Sequence, residues 1–137
     1  METKIVAMNP EYLPDVSSRY SHGMVVSGSN IKWILLSGIV AMDEKNKIVS
    51  LGDAKGQAEF FFGNIKRLLA DSGATMEDIV KINFYITDMT KFKEISEVRD
   101  KYFHGLKDKP TSTVMEVSAL LMKELMMEIE VTAICSL

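Results

Sequence analysis

Hydrophobic and polar positions alternate along much of this chain with two distinct periods. In DIVKINFYITDM, Val80, Ile82, Phe84 and Ile86 take one side and Lys81, Asn83, Tyr85 and Thr87 the other. A period of two predicts a strand covered on one face. Met126 to Cys135 alternates in the same way, with Glu128, Glu130 and Thr132 opposite Ile129, Val131 and Ala133. GMVVSGSN followed by IKWILLSGIVAM gives two apolar runs around Ser29-Asn30, which predicts a hairpin. The second run is apolar on both sides, with Trp33, Leu35 and Ile39 against Ile34, Leu36 and Val40, so it is expected to be a central strand covered on both faces. PTSTVMEV predicts a strand over 111–117, entered through a proline, with Met115 and Val117 on one side and Glu116 on the other.

Two stretches repeat at helical spacing instead. Ala58, Phe61, Phe62, Ile65, Leu68 and Leu69 form a wide apolar stripe in a helix predicted over 54–72, with Asp53 as N-cap and Gly73 just past the end. The Phe run there is expected to be core packing. KFKEISEVRDKYFHG predicts a second helix with Phe92, Ile95, Val98 and Tyr102 inward and Gly105 ending it. Thr75-x-x-Asp78 resembles a capping box around one short turn. NPEYLPDVSSRYS reads as an irregular loop and DEKNK as a polar turn. The order strand, hairpin, helix, strand, helix, strand, strand fits one α+β domain over 1–137, a single mixed sheet with two helices on one face. Its other face is partly apolar, which predicts an oligomer that buries it.

Composition narrows the function. At 137 residues and 47% hydrophobic, the chain can build a single ordinary core. A net charge of −3 without a basic run argues against a nucleic-acid partner. The longest apolar stretch is far short of the ~20 residues that cross a bilayer, and METKIVAM lacks a secretory h-region. A soluble, cytoplasmic protein with no membrane partner is expected. The single cysteine, Cys135, suits a reducing compartment and reads as a small buried residue. The two histidines, His22 and His104, stand apart from any Cys/Asp cluster, so no metal site is expected. Neither a phosphate-cradling glycine loop nor a G-x-S-x-G turn is present, and no cofactor is expected. The side chains with chemical potential are Arg19, Tyr20, Glu116 and Glu128. A strand carboxylate aimed into a cleft can orient water or act as a base; it can equally be a solvated face or a lysine's partner. Tyr20 can equally be an amphipathic loop anchor.

RYSHG, ILLSGIVAMD, the helix-to-strand run QAEFFFGNIKRLLADSGATMEDIVKINFYITDM, FKEISEVRDKYF, PTSTVMEV and MEIEVTAI, in this order and spacing, resemble the Rid (YjgF, reactive intermediate deaminase) family over nearly the whole chain. The resemblance implies a chorismate-mutase-like α+β protomer and a homotrimer. The three sheets would line a central barrel, with small-molecule clefts between neighbours. It also implies hydrolysis of reactive 2-imino acids, tautomers of enamines, to 2-keto acids and ammonia. In that family an arginine clamps the substrate carboxylate and a glutamate on the last strand handles water. Tyr20 matches the family's loop tyrosine, Ser37 and Gly38 its SG turn, and Glu128 its strand glutamate. Three positions depart. Ser112 stands where active members carry the clamp arginine, in P-x-R-S. Ser96 stands at a helix asparagine, and Ser18-Arg19 replaces a Gly-Pro. The loop at LLMKEL is one residue longer than usual and lacks its proline.

A serine hydroxyl is short and neutral and cannot replace a planar five-donor cation against a carboxylate. Classical 2-iminobutanoate or 2-iminopropanoate turnover is therefore expected to be weak or lost and the substrate altered. Arg19, beside Tyr20, is the candidate for a substitute cation. Catalytic roles fall to Glu128 and Tyr20, and substrate binding to Ser112, Ser37, Gly38, Arg19 and Ser96. The competing reading is a trimer that binds a small metabolite without catalysis. An endoribonuclease is the reading that the acidic balance favours least.

Overall fold

The computed structural model describes residues 2–137; Met1, which opens METKIVAM, lies outside them. Six strands form one sheet: β1 (Lys4–Met8), β2 (Gly23–Gly28), β3 (Ile31–Leu36), β4 (Ile79–Ile86), β5 (Thr111–Glu116) and β6 (Met127–Ser136). Two helices, α1 (Ala54–Asp71) and α2 (Phe92–Phe103), pack together on one face. The strand order is β1-β2-β3-β6-β4-β5. Only β4 and β5 are parallel, joined through α2; every other neighbouring pair is antiparallel. The last strand, β6, thus slots between β3 and β4, splitting the β3-α1-β4 unit.

Local chemistry explains most element ends. The β2–β3 hairpin turns on Ser29 and Asn30, both at positive φ (52° and 66°), as a two-residue type I′ turn requires. Asp53 Oδ1 accepts the Gly56 N–H at 3.0 Å and caps α1. At the other end Gly73 takes φ +82°, with Gly73 N–H to the Ala70 carbonyl (3.1 Å) and Ala74 N–H to that of Leu69 (2.8 Å), a Schellman closure. Lys32 Nζ donates to the Ser72 carbonyl at 2.7 Å, placing a cation at the negative end of the helix. The Thr75 N–H donates to Asp78 Oδ2 (2.8 Å), closing the expected capping box. Gly105, at φ +80°, follows α2.

The core lies between the helices and the sheet. Phe61 and Phe62 are fully buried, as the packing reading of the Phe run expects. Phe62 stacks on Tyr102 of α2 (5.3 Å between centroids) and tilts against Phe84 of β4 (6.4 Å). One ring therefore joins both helices to the sheet, a burial worth about 1.5–3 kcal/mol. Gln57 is buried too, and fully used. Its Nε2 donates to the Ser50 and Glu124 carbonyls (3.4 and 3.1 Å), and its Oε1 accepts the Met126 N–H (3.0 Å).

Two expectations need correction. Val80 does not belong to the buried side of β4. The β4–β6 register shifts between Ile79 and Lys81, so Ile79 is buried and Val80 is turned to solvent. A bulge inserts one residue and reverses the alternation on one side of it. The third strand is central, as expected, but the chain covers only its helix side. Ile34 and Leu36 are buried, whereas Trp33 and Leu35 remain 45% and 42% exposed.

Candidate functional site

Beyond Leu36, β3 does not simply continue. Ser37 donates its N–H to the His22 carbonyl (2.8 Å) and its hydroxyl to the Ser21 carbonyl (2.6 Å). Pairing with β6 resumes at Ile39, which exchanges both backbone hydrogen bonds with Ile129 (2.7 and 3.0 Å). Gly38 is therefore pinned directly beside Glu128. A Cβ at position 38 would stand 2.6 Å from Glu128 Oε1 and 2.7 Å from its Cδ. Real side chains do not approach so closely, so a larger residue at position 38 would displace the Glu128 carboxyl; the constraint is space, not an unusual φ.

Glu128 lies on the open face of the sheet, opposite Tyr85. Burial raises its carboxyl above the ordinary value of 4.5, and neighbouring Glu130 adds to the effect. Among the described residues no ion pair involves Glu128, so the lysine-partner alternative finds no support. Glu130 Oε1 accepts from Asn83 Nδ2 (2.9 Å) and from the Tyr85 hydroxyl (3.2 Å). Burial, then Glu130, raises the Tyr85 phenol above its usual range. Gly38, Tyr85, Glu128 and Glu130, with Val117, Ala119 and Leu120, line a groove of about 420 Å³. Tyr85 and Glu130 were not singled out from sequence; their shared alternation with Glu128 was the available signal.

Gly38 also borders a smaller cavity of about 90 Å³, lined among others by Arg19, Tyr20, His22 and Leu121. Tyr20 is half exposed and meets the His22 ring edge-on, with 6.2 Å between centroids. His22 Nε2 lies 2.7 Å from the Pro14 carbonyl. A carbonyl only accepts, so that nitrogen carries the proton. Glu128, Gly38, Ser37, Tyr20 and Arg19 are thus gathered on one side of the molecule.

Ser112 and Ser96 lie elsewhere. Ser112 is paired with Ile82, whose side chain enters the core, so it points to the helix side of the sheet. It lines a third cavity, of about 390 Å³, with Arg99, Asp100, Phe103, His104, Gly105, Lys109 and Pro110. Ser96 donates its hydroxyl to the Lys93 carbonyl of its own helix (2.8 Å). Glu116 is taken up structurally: its Oε1 accepts the Met89 N–H (2.9 Å) at the turn that leads into α2. Among the described residues no group of three or more His, Cys, Asp or Glu side chains could hold a metal ion. Among the described residues no helix is long and apolar enough to cross a membrane.

A single mixed sheet split by β6, with two helices on one face, is the fold on which the sequence resemblance and the comparisons converge. Residues 11–135 match the Endoribonuclease L-PSP family, and the chain belongs to it, the family also called Rid or YjgF. A RutC family protein of Pyrococcus abyssi is 31% identical over 123 residues, covering 90% of this chain and 91% of its own. The Rid family protein YyfA of Yersinia pestis superposes with a TM-score of 0.81 at 26% identity, over 95% of this chain and 98% of that one. Escherichia coli TdcF, solved with bound serine, gives 0.79 at 26% identity, over 96% and 99%.

Proposed function

We propose that this chain is a hydrolase of imines or enamines, working in clefts between copies of a homotrimer whose sheets surround a central barrel. The observation that carries the reading is Glu128: a carboxyl seated on Gly38, lifted by burial and lining an open groove. A carboxylate whose pKa is raised holds a proton more readily, so it can accept one from water and return it. Water adds its oxygen to the imine carbon while Glu128 takes its proton. The proton passes to the nitrogen and gives a carbinolamine; Glu128 then carries the hydroxyl proton to that nitrogen, the C–N bond breaks, ammonia leaves and the C–O bond becomes a carbonyl. An imine carbon is already electrophilic, so placement supplies most of the acceleration.

The division of the site supports a shared cleft. Glu128 and Ser112 occupy different cavities on opposite faces of one sheet, and a second copy is the means by which the two halves could meet. The exposed apolar half of the open face, with Trp33 and Leu35, supports burial against such a copy. The bound serine of TdcF supports a small amino-acid-like ligand. Ser112, where the family's clamp arginine is expected, supports weak classical turnover and an altered substrate. A ribonuclease is disfavoured, because Glu128 and Glu130 would face a phosphate with like charge.

The test is release of keto acid from a chain-length series of 2-imino acids, each generated in situ by an amino-acid dehydratase or oxidase. Acceleration over buffer for at least one member, lost in Glu128→Gln, is expected. If none is accelerated while a keto acid still binds, the trimer is a metabolite binder instead.

A further inference from the structure

The cavity beside Ser112 has a chemistry of its own. Three basic side chains line it, Arg99, His104 and Lys109, against one acidic side chain, Asp100. Phe103 and Pro110 supply apolar wall, and Ser112 supplies a hydroxyl. Lys109 is already engaged, donating to the Leu106 carbonyl at 2.8 Å. Arg99 is engaged on one side only: Nε and Nη2 both reach Asp100 Oδ1 (3.0 and 2.9 Å). A guanidinium carries five N–H donors, so several remain for another partner. The Asp100 side chain is largely exposed, and such a pair yields readily to competition. The Arg99 side chain is the least exposed of the cations in the four ion pairs, at 23%, and sits 5.5 Å from the centre of the Phe92 ring. That holds the fork in place before a ligand arrives.

We propose that Arg99 is the acid-binding residue of this cavity, gripping the carboxylate of a small organic acid whose apolar body lies along Phe103 and Pro110. The grip comes from the last turns of α2 rather than from β5. Arg19, the cation suggested by sequence, stands with Tyr20 and Gly38 in the cavity beside the Glu128 groove. The α2 carbonyl terminus beside the cavity disfavours an anion, which is the reason a permanently charged, forked cation is needed there rather than the hydroxyl of Ser112 alone. The assignment rests on the reading of Ser112 as one half of the site.

The experiment measures binding of 2-oxohexanoate and of its neutral amide by calorimetry to the full-length protein and to Arg99→Gln and Arg99→Lys. Thermal melts verify that each variant is folded. The wild type should bind the acid and not the amide. Arg99→Gln should weaken the acid by roughly tenfold or more, a charge-assisted pair being lost. Arg99→Lys, which keeps the charge but not the fork, should fall between. Equal acid affinity in wild type and Arg99→Gln, or no preference for acid over amide, or no binding by the wild type, overturns the assignment. Acid binding that depends on Arg99 in a protein with no imine turnover would leave the assignment standing and remove the hydrolase reading. Turnover that survives Arg99→Gln with unchanged affinity would do the reverse.

Discussion

Gly38 and Glu128 show how one position can be decided by the side chain of another. Adding a single methyl at Gly38 forces the Glu128 carboxyl, or the Ser37–Ile39 backbone, to move. Gly38→Ala is expected to leave stability nearly unchanged, because the flexible end of Glu128 can swing aside, and to abolish imine hydrolysis by displacing that carboxyl; denaturant melts and the keto-acid assay check the two effects separately. Glu128 also makes a pH-dependent contribution to stability. Its carboxyl is raised in the fold, so the folded state holds the proton more tightly than the unfolded one. That contribution is complete below about pH 4.5 and is lost as pH rises through the raised value. Glu128→Gln cannot ionise. It should melt with the wild type at pH 4 and above it at pH 8. The same shift at both pH values would show that burial of the charge is not the cause.

Among the elements, α1 is the one whose ends, face and anchor can each be traced to particular residues. Its stripe, Asp53 cap and Gly73 terminator were all legible, because each is a short-range device acting within a few residues. Gln57 was not. A glutamine within an apolar stripe carries no local sign that it will bind carbonyls before the helix and ahead of β6, and an N–H at the entry to β6, some 70 residues on. Replacing it with leucine keeps the volume and leaves those part-buried groups without their partner. Gln57→Leu should lose about 1–3 kcal/mol, whereas Asp53→Ala at the exposed cap should lose about 1 kcal/mol; urea unfolding of the two variants would rank them. The Val80 bulge is the opposite lesson. Alternation was read straight through it, because a single inserted residue leaves the composition of the strand unchanged while it moves Ile79 into the core.

On the scale of the whole molecule, the covered and uncovered faces of the sheet differ in kind. One is sealed by α1 and α2. The other carries Trp33 and Leu35 in the open, next to the Glu128 groove. In the proposed trimer, Trp33→Lys or Leu35→Lys should leave the helix side intact and shift sedimentation toward monomer, with loss of any imine turnover. A wild type that sediments as a monomer would refute the shared cleft. The strand periods, the hairpin, both helices and the candidate carboxylate could be read from the chain itself, since side-chain spacing and turn chemistry act between near neighbours. The insertion of β6 between β3 and β4, the parallel pairing of β4 with β5, and the placing of Ser112 and Glu128 on opposite sides were decided only by the tertiary structure. Those are choices of partner between distant segments, and a periodic pattern states which face of a strand is apolar without stating what that face will meet.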